Sequence, residues 1–191
     1  MNFDSTIVAG LIGLVGAIIG AVITGYVVLA QTSKLLKEER RLGELERERE
    51  TKSVATALLW EIDYFYKMNV RNACRALSHS TPSELGWYVK TADLRAFTVF
   101  ESTADKIGMF EPELVQFIVG FYGNARTYLN TLIEYKAAMK KVMSMEADVK
   151  GTAIVLLDDI KKASAGLVPI AKILCESLSK RAGAKYTFEA P

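Results

Sequence analysis

The stretch IVAGLIGLVGAIIGAVITGYVVLA, Ile7 to Ala30, contains no charged side chain, and its reading decides the fold of everything that follows. An α-helix rises about 1.5 Å per residue, so a segment of this length extends roughly 36 Å and crosses a hydrocarbon core of about 30 Å with modest tilt. A cleavable leader has a basic start and an apolar run of roughly 7 to 15 residues. Here the run is longer, and the preceding MNFDST has Asp4 as its only charged side chain. VLAQ, Val28 to Gln31, superficially resembles a cleavage site, but the pattern predicts a retained transmembrane helix over residues 7–30, with residues 1–6 outside the cell membrane.

Lys34, Lys37, Arg40 and Arg41 lie just beyond this stretch, and no Lys or Arg precedes it. Positive side chains concentrate on the cytoplasmic flank of a span. The expected arrangement is therefore single-pass, with the N-terminus outside and the C-terminal portion cytoplasmic. The same four cations are placed to meet anionic lipid headgroups. Within the span, Ala9, Gly13, Ala17, Ala21 and Gly25 recur every four residues, and Gly16, Gly20 and Thr24 form a neighbouring ridge. In lipid, apolar burial gives helices little drive to associate, whereas small side chains let two backbones approach closely and gain packing contacts. The spacing predicts a homo-oligomer packed through this face. No charged ring marks an ion path through it.

Beyond the span, Lys34 to Lys52 holds seven positive and six negative side chains in nineteen residues. Several opposite charges fall four apart, a spacing that supports a solvated helix. Leu35, Leu42 and Leu45 hint at a heptad seam, but Glu38, Arg49 and Lys52 interrupt it, so residues 31–53 read as a charged juxtamembrane stalk. Val54, Leu58, Ile62 and Phe65 then share one helical face, broadened by Leu59 and Tyr66 and continued by Val70, Cys74 and Leu77. SHSTPSE breaks this helix and places His79 in a polar connection, with Thr81, Pro82 and Glu84 giving start signals for a short helix. Trp87 and Tyr88 follow, available to the core or to a partner. A short helix ending near Gly108 is expected next, with Phe97, Phe100, Ile107, Met109 and Phe110 packing around the bend. A long helix over Pro112–Met143 follows, with Leu114, Phe117, Ile118, Phe121, Tyr128, Leu132 and Tyr135 inward and Gly120 and Gly123 permitting close packing. After a turn within Ser144–Thr152, Ile154, Leu157, Ile160, Leu167, Ile170, Leu174 and Leu178 outline a final helix, with a kink expected at Pro169. The fold class is all-α: a transmembrane helix, a charged helical stalk, an antiparallel cytoplasmic helical bundle over residues 54–182, and a frayed tail over 183–191 that could dock Tyr186 and Phe188.

Chemical motifs are sparse. Cys74 and Cys175 are the only cysteines and His79 the only histidine, and none stands in a metal-binding spacing, so the thiols read as reduced and packed. Glu61 and Asp63 point in different directions on a helix, and Asp158 and Asp159 sit beside Lys161 and Lys162; both pairs read as solvated charged faces. Glu101 and Asp105, four apart, lack the further ligands of a familiar metal centre. GLIGLVG lies inside the span and lacks the strand-to-helix setting of a phosphate loop. Met139, Met143 and Met145 read as adaptable packing. The most suggestive polar cluster is Tyr122, Arg126 and Asn130, spaced four apart, in which Arg could take phosphate or carboxylate while Tyr and Asn add hydrogen bonds. The bland reading of that cluster is an Arg held by neighbouring acids, with tyrosines at the core edge.

A net charge of +2 gives no basis for nucleic-acid binding. No catalytic, cofactor or metal site is expected. The residues predict a membrane-anchored scaffold or adaptor that self-associates through its span and binds a protein partner through its bundle. The competing expectation is a ligand-controlled membrane effector, in which an anionic metabolite or nucleotide at Arg126 rearranges oligomerised spans and perturbs the bilayer.

Overall fold

The computed structural model describes residues 5–79, 97–143 and 150–190. Among them the chain is all-helical. Helix α1 covers Ser5–Phe65 and passes into a wide π turn over Tyr66–Arg71, followed by α2, Asn72–His79. The short α3, Thr98–Ser102, leads into a 3₁₀ turn over Ala104–Met109, and two long helices follow, α4 at Pro112–Met143 and α5 at Lys150–Ala182. The chain divides into two compact units, Met1–Arg49 and Glu50–Pro191.

The first unit is the apolar and charged portion of α1. An 18-residue window of this region has a mean hydropathy of 2.2 and none of it is buried. Among the described residues, this is the helix long and apolar enough to cross a membrane. Leu14, Ile18, Val22 and Leu29 are all exposed, and Leu35, Leu42 and Leu45 remain exposed beyond them.

The second unit holds the core. Val54, Leu58, Leu59, Ile62, Phe65 and Tyr66 of α1 and the π turn are buried, as their spacing predicts. They share that core with Ile118, Phe121, Tyr128, Leu132 and Tyr135 of α4 and Ile160, Leu167, Leu174 and Leu178 of α5. Each large side chain withdrawn from water contributes about 1.5–3 kcal/mol. Helix α4 packs along α5, and Glu111, just before α4, is ion-paired with Arg181 in the last turn of α5. Phe97, Ile107 and Phe110 close the core around the bend, with Phe100 and Met109 half-buried.

Several expectations need correction. The helix expected to end near Gly108 is two pieces, because the backbone at Thr103 leaves the α region and the next residues tighten into a 3₁₀ turn. His79 closes α2 rather than lying in a loop. Phe117 and Ile154, expected inside, are 44% and 69% exposed, since each lies on the flank of its helix that no described neighbour covers. A Cβ placed on Gly120 or Gly123 would meet nothing within 4 Å, so among the described residues of this chain neither glycine makes the close approach expected of it. Helix α5 contains Pro169 within its length, as its apolar stripe predicts. The start signals at Thr81, Pro82 and Glu84, the aromatics Trp87 and Tyr88, and Met145 with most of the turn before α5 lie outside the described residues.

Candidate functional site

The polar chemistry of the second unit centres on two carboxylates near the end of α1. Helix α3 begins at a residue that cannot cap it: Phe97 has no side-chain acceptor and adopts φ 93°, ψ 23°, the left-handed region that a bulky side chain rarely enters. Burial holds it there, at 3% exposure, with its ring 5.2 Å from Phe65 and 5.1 Å, edge-on, from Tyr122. The missing cap comes from α1. Glu61 Oε1 accepts the Val99 amide at 2.7 Å and Oε2 accepts the Phe100 amide at 3.0 Å. The Tyr122 hydroxyl of α4 donates to Oε2 at 2.7 Å. One carboxylate therefore ties together three elements that lie far apart in sequence.

Tyr122 is buried, and its ring stacks on Phe100 with centroids 3.9 Å apart. Burial, followed by the nearby negative charge of Glu61, pushes its phenol well above the ordinary range. It is a permanent hydrogen-bond donor at neutral pH.

Asp63, two residues on, serves a different side of the helix. It is 3% exposed, accepts Lys67 Nζ at 2.8 Å and accepts the Tyr186 hydroxyl at 2.5 Å. Burial raises the Tyr186 phenol, and the bond to Asp63 raises it further. Cys175 of α5 is buried near the same hydroxyl, and desolvation pushes its thiol up to about 12. A thiol so placed stays protonated and unreactive at neutral pH. Cys74 is also free, and half-buried. The expectation that Glu61 and Asp63 form a solvated charged face is overturned: both are drawn into hydrogen bonds with tyrosines from other parts of the chain. The tail, expected to fray or to dock through Tyr186 and Phe188, docks through both.

The π turn between these elements has its own tie. Tyr128 of α4 is buried and donates its hydroxyl to the Asn69 carbonyl at 2.7 Å. A wide turn shifts the regular pattern of helix hydrogen bonds and leaves a carbonyl in need of a donor, and Tyr128 meets it.

The cluster Tyr122, Arg126 and Asn130 is not gathered into a common groove. Tyr122 turns inward to Glu61, Arg126 is exposed and pairs with Glu101 at 2.6 Å, and Asn130 is exposed. Glu101 is thereby held by an arginine, while Asp105 sits beyond the break at Thr103, in the 3₁₀ turn. Asp158 pairs with Lys162 at 2.6 Å on the surface of α5. In the first unit, Gly13, Gly16, Ala17, Gly20, Ala21 and Gly25 are exposed along the helix, as are Lys34, Lys37, Arg40 and Arg41. A Cβ built on Gly13, Gly16, Gly20 or Gly25 meets nothing within 4 Å. Ala9 lies in α1, with its side chain outside the described ones.

Sequence reasoning missed Glu61, Asp63 and their tyrosines as a set. The available signal was the position of two acids inside LLWEIDYFY, Leu58 to Tyr66, where the surrounding residues are apolar or aromatic. Buried carboxylates require donors, and the sequence does not say which of the tyrosines would come. Comparison with family models, with curated proteins and with solved structures gives no match.

Proposed function

We propose that this chain is a single-pass, membrane-anchored scaffold or adaptor. Its span associates with a second copy through Ala9, Gly13, Gly16, Ala17, Gly20, Ala21 and Gly25, and an antiparallel helical bundle on a charged stalk carries a protein-binding surface into the cytoplasm. The observation that carries the reading is the apolar stretch of α1: its large side chains are exposed and its glycines open onto free space. A glycine that packs against nothing in its own chain costs about 1 kcal/mol relative to alanine in a water-exposed helix. In lipid that cost is offset when a second backbone approaches the bare surface.

Orientation follows from Lys34, Lys37, Arg40 and Arg41 on the C-terminal flank, which stay on the cytoplasmic side and near anionic headgroups. In the second unit Glu61 and Asp63 are held by donors of the chain itself, which suits a rigid platform better than acid–base chemistry.

The test is proximity cross-linking of the full-length protein in lipid vesicles, compared with a chain bearing Gly13→Leu, Gly16→Leu and Gly20→Leu. Leucine keeps the hydropathy and removes the close approach. Cross-linked dimer is expected to fall at least about fivefold, in line with a loss of about 1 kcal/mol of helix packing. Equal cross-linking in both chains removes the span from the mechanism.

A further inference from the structure

Helix α5 ends in a left-handed glycine, Gly183 at φ 68°, with the Ala184 amide bonded back to the Ser179 carbonyl at 3.0 Å. Glycine adopts this conformation without strain, so it is a natural pivot. From there the chain runs as a non-helical segment in which Tyr186 and Phe188 are half-buried while Lys185, Thr187 and Glu189 are exposed. That alternation is how an extended peptide is read in a groove, with every second side chain in a pocket.

The groove is made by rigid elements. Asp63 receives the Tyr186 hydroxyl at 2.5 Å. The ring of Tyr66, itself 1% exposed, lies 4.6 Å from that of Phe188, and its hydroxyl donates to the Glu189 carbonyl at 3.1 Å. Arg71 closes the far end by an ion pair with the Glu189 carboxylate. The receptor thus offers an acceptor for a phenol in Asp63 near the end of α1, and then, along the π turn, an aromatic wall and a backbone donor in Tyr66 and a cation for an acid in Arg71.

We propose that this groove is a peptide-docking site, that the chain's own tail is its resident occupant, and that a partner protein displaces the tail with a segment of the same pattern. That pattern is two aromatic residues with a single residue between them, the first a tyrosine and the second followed directly by an acid. The proposal rests on the adaptor reading and names the surface through which the second unit takes its partner. Because the tail is tethered, it competes at an effective concentration in the millimolar range. A free peptide therefore binds the intact chain weakly, and weakening the tail frees the groove in proportion.

The experiment uses full-length protein in lipid nanodiscs and a fluorescent peptide of sequence AKYTFEA, matching Ala184–Ala190, with a scrambled peptide as control. Tyr186→Phe with Phe188→Ala is expected to raise the peptide's apparent affinity about tenfold or more, and adding Arg71→Ala is expected to reverse much of that gain. A folded tail variant that binds the matched peptide no better than the scrambled one overturns the proposal. A second measurement covers the case in which the tail variant does not fold. In a Cys74→Ser background with the tail unchanged, a maleimide should label Cys175 at a rate independent of low denaturant, because local release of Tyr186 uncovers the thiol. Labelling that proceeds only through global unfolding makes the tail a fixed part of the core and equally overturns the proposal. A chain with Gly13→Leu, Gly16→Leu and Gly20→Leu should retain peptide binding, so failure of span association and failure of the groove are read separately.

Discussion

Replacing Glu61 by alanine removes the acceptor for three donors at once, and the structure sets the size of the loss. The Tyr122 hydroxyl belongs to a residue 1% exposed and has Glu61 Oε2 at 2.7 Å; leaving a buried hydroxyl unsatisfied costs about 1–3 kcal/mol. The Val99 and Phe100 amides lose their only cap from a side chain among the contacts described, at about 0.5–2 kcal/mol for a helix N-terminus. Because α3 is half-exposed, water recovers part of the second term, and the expected destabilisation is about 2–4 kcal/mol. For a chain of this size that lowers Tm by about 5–15 °C. The assay is unfolding of the full-length protein in detergent, followed by the near-ultraviolet dichroism of its tyrosines. Tyr122→Phe keeps the ring on Phe100 and removes both the donor and its need for a partner. The double variant Glu61→Ala with Tyr122→Phe should therefore be more stable than the sum of the single losses, by about 1–3 kcal/mol. Additivity within about 0.5 kcal/mol would refute the reasoning, as would a Glu61→Ala chain as stable as the parent.

Alkaline pH should weaken the second unit. Cys175 is raised from 9.0 to about 12, and Tyr66, Tyr122, Tyr135 and Tyr186 are all raised from 10.0, in every case chiefly by burial. The unfolded chain therefore loses these protons first, and stability that is complete below pH 9 falls as pH rises from about 9 toward 12. Cys175 alone contributes a slope of about 1.4 kcal/mol per pH unit once its unfolded thiol has ionised. Chemical unfolding at a series of pH values checks this, and Cys175→Ala should flatten the earliest part of the decline. Separately, Gly120→Ala and Gly123→Ala should each stabilise the protein by about 0.5–1 kcal/mol, because both glycines lie mid-helix with open space where a Cβ would go. A loss of stability in thermal unfolding would mean that these positions are packed against something.

The long uncharged stretch of α1, the start of α4 at Pro112 and most of the inward positions of the second unit are legible in the sequence, because each rests on run length, on local spacing or on the breaking power of proline. Ile154 and Phe117 show where that logic stops: a stripe drawn through all apolar residues of a helix overstates its buried width, since the neighbouring helix covers a limited arc. The π turn at Tyr66–Arg71 was not legible, because an inserted residue leaves the apolar spacing on either side close to regular. The bond from Tyr186 to Asp63 spans 123 residues, and nothing local to either residue specifies the other.

The two carboxylates expose the deeper assumption. Residues two apart on an α-helix project about 200° from one another, so a helix with a single buried face cannot bury both, and reading them as solvent-facing is the consistent choice under that premise. The end of α1 is covered on two opposite sides instead: Glu61 faces α3 and α4, Asp63 faces the tail and the region of Cys175, and Trp60 and Tyr64 mark the exposed flank between. A seam of leucines and phenylalanines alone tolerates slippage, because one apolar contact replaces another at little cost. A carboxylate that must meet a tyrosine hydroxyl does not, since any shift leaves a buried polar group without its partner. Glu61 and Asp63 therefore fix the rotation of α1 within the second unit from both sides. That is why substitution at either should change the specificity of packing as well as its strength, whereas the exposed pair Arg126–Glu101, free to be replaced by water, should change neither.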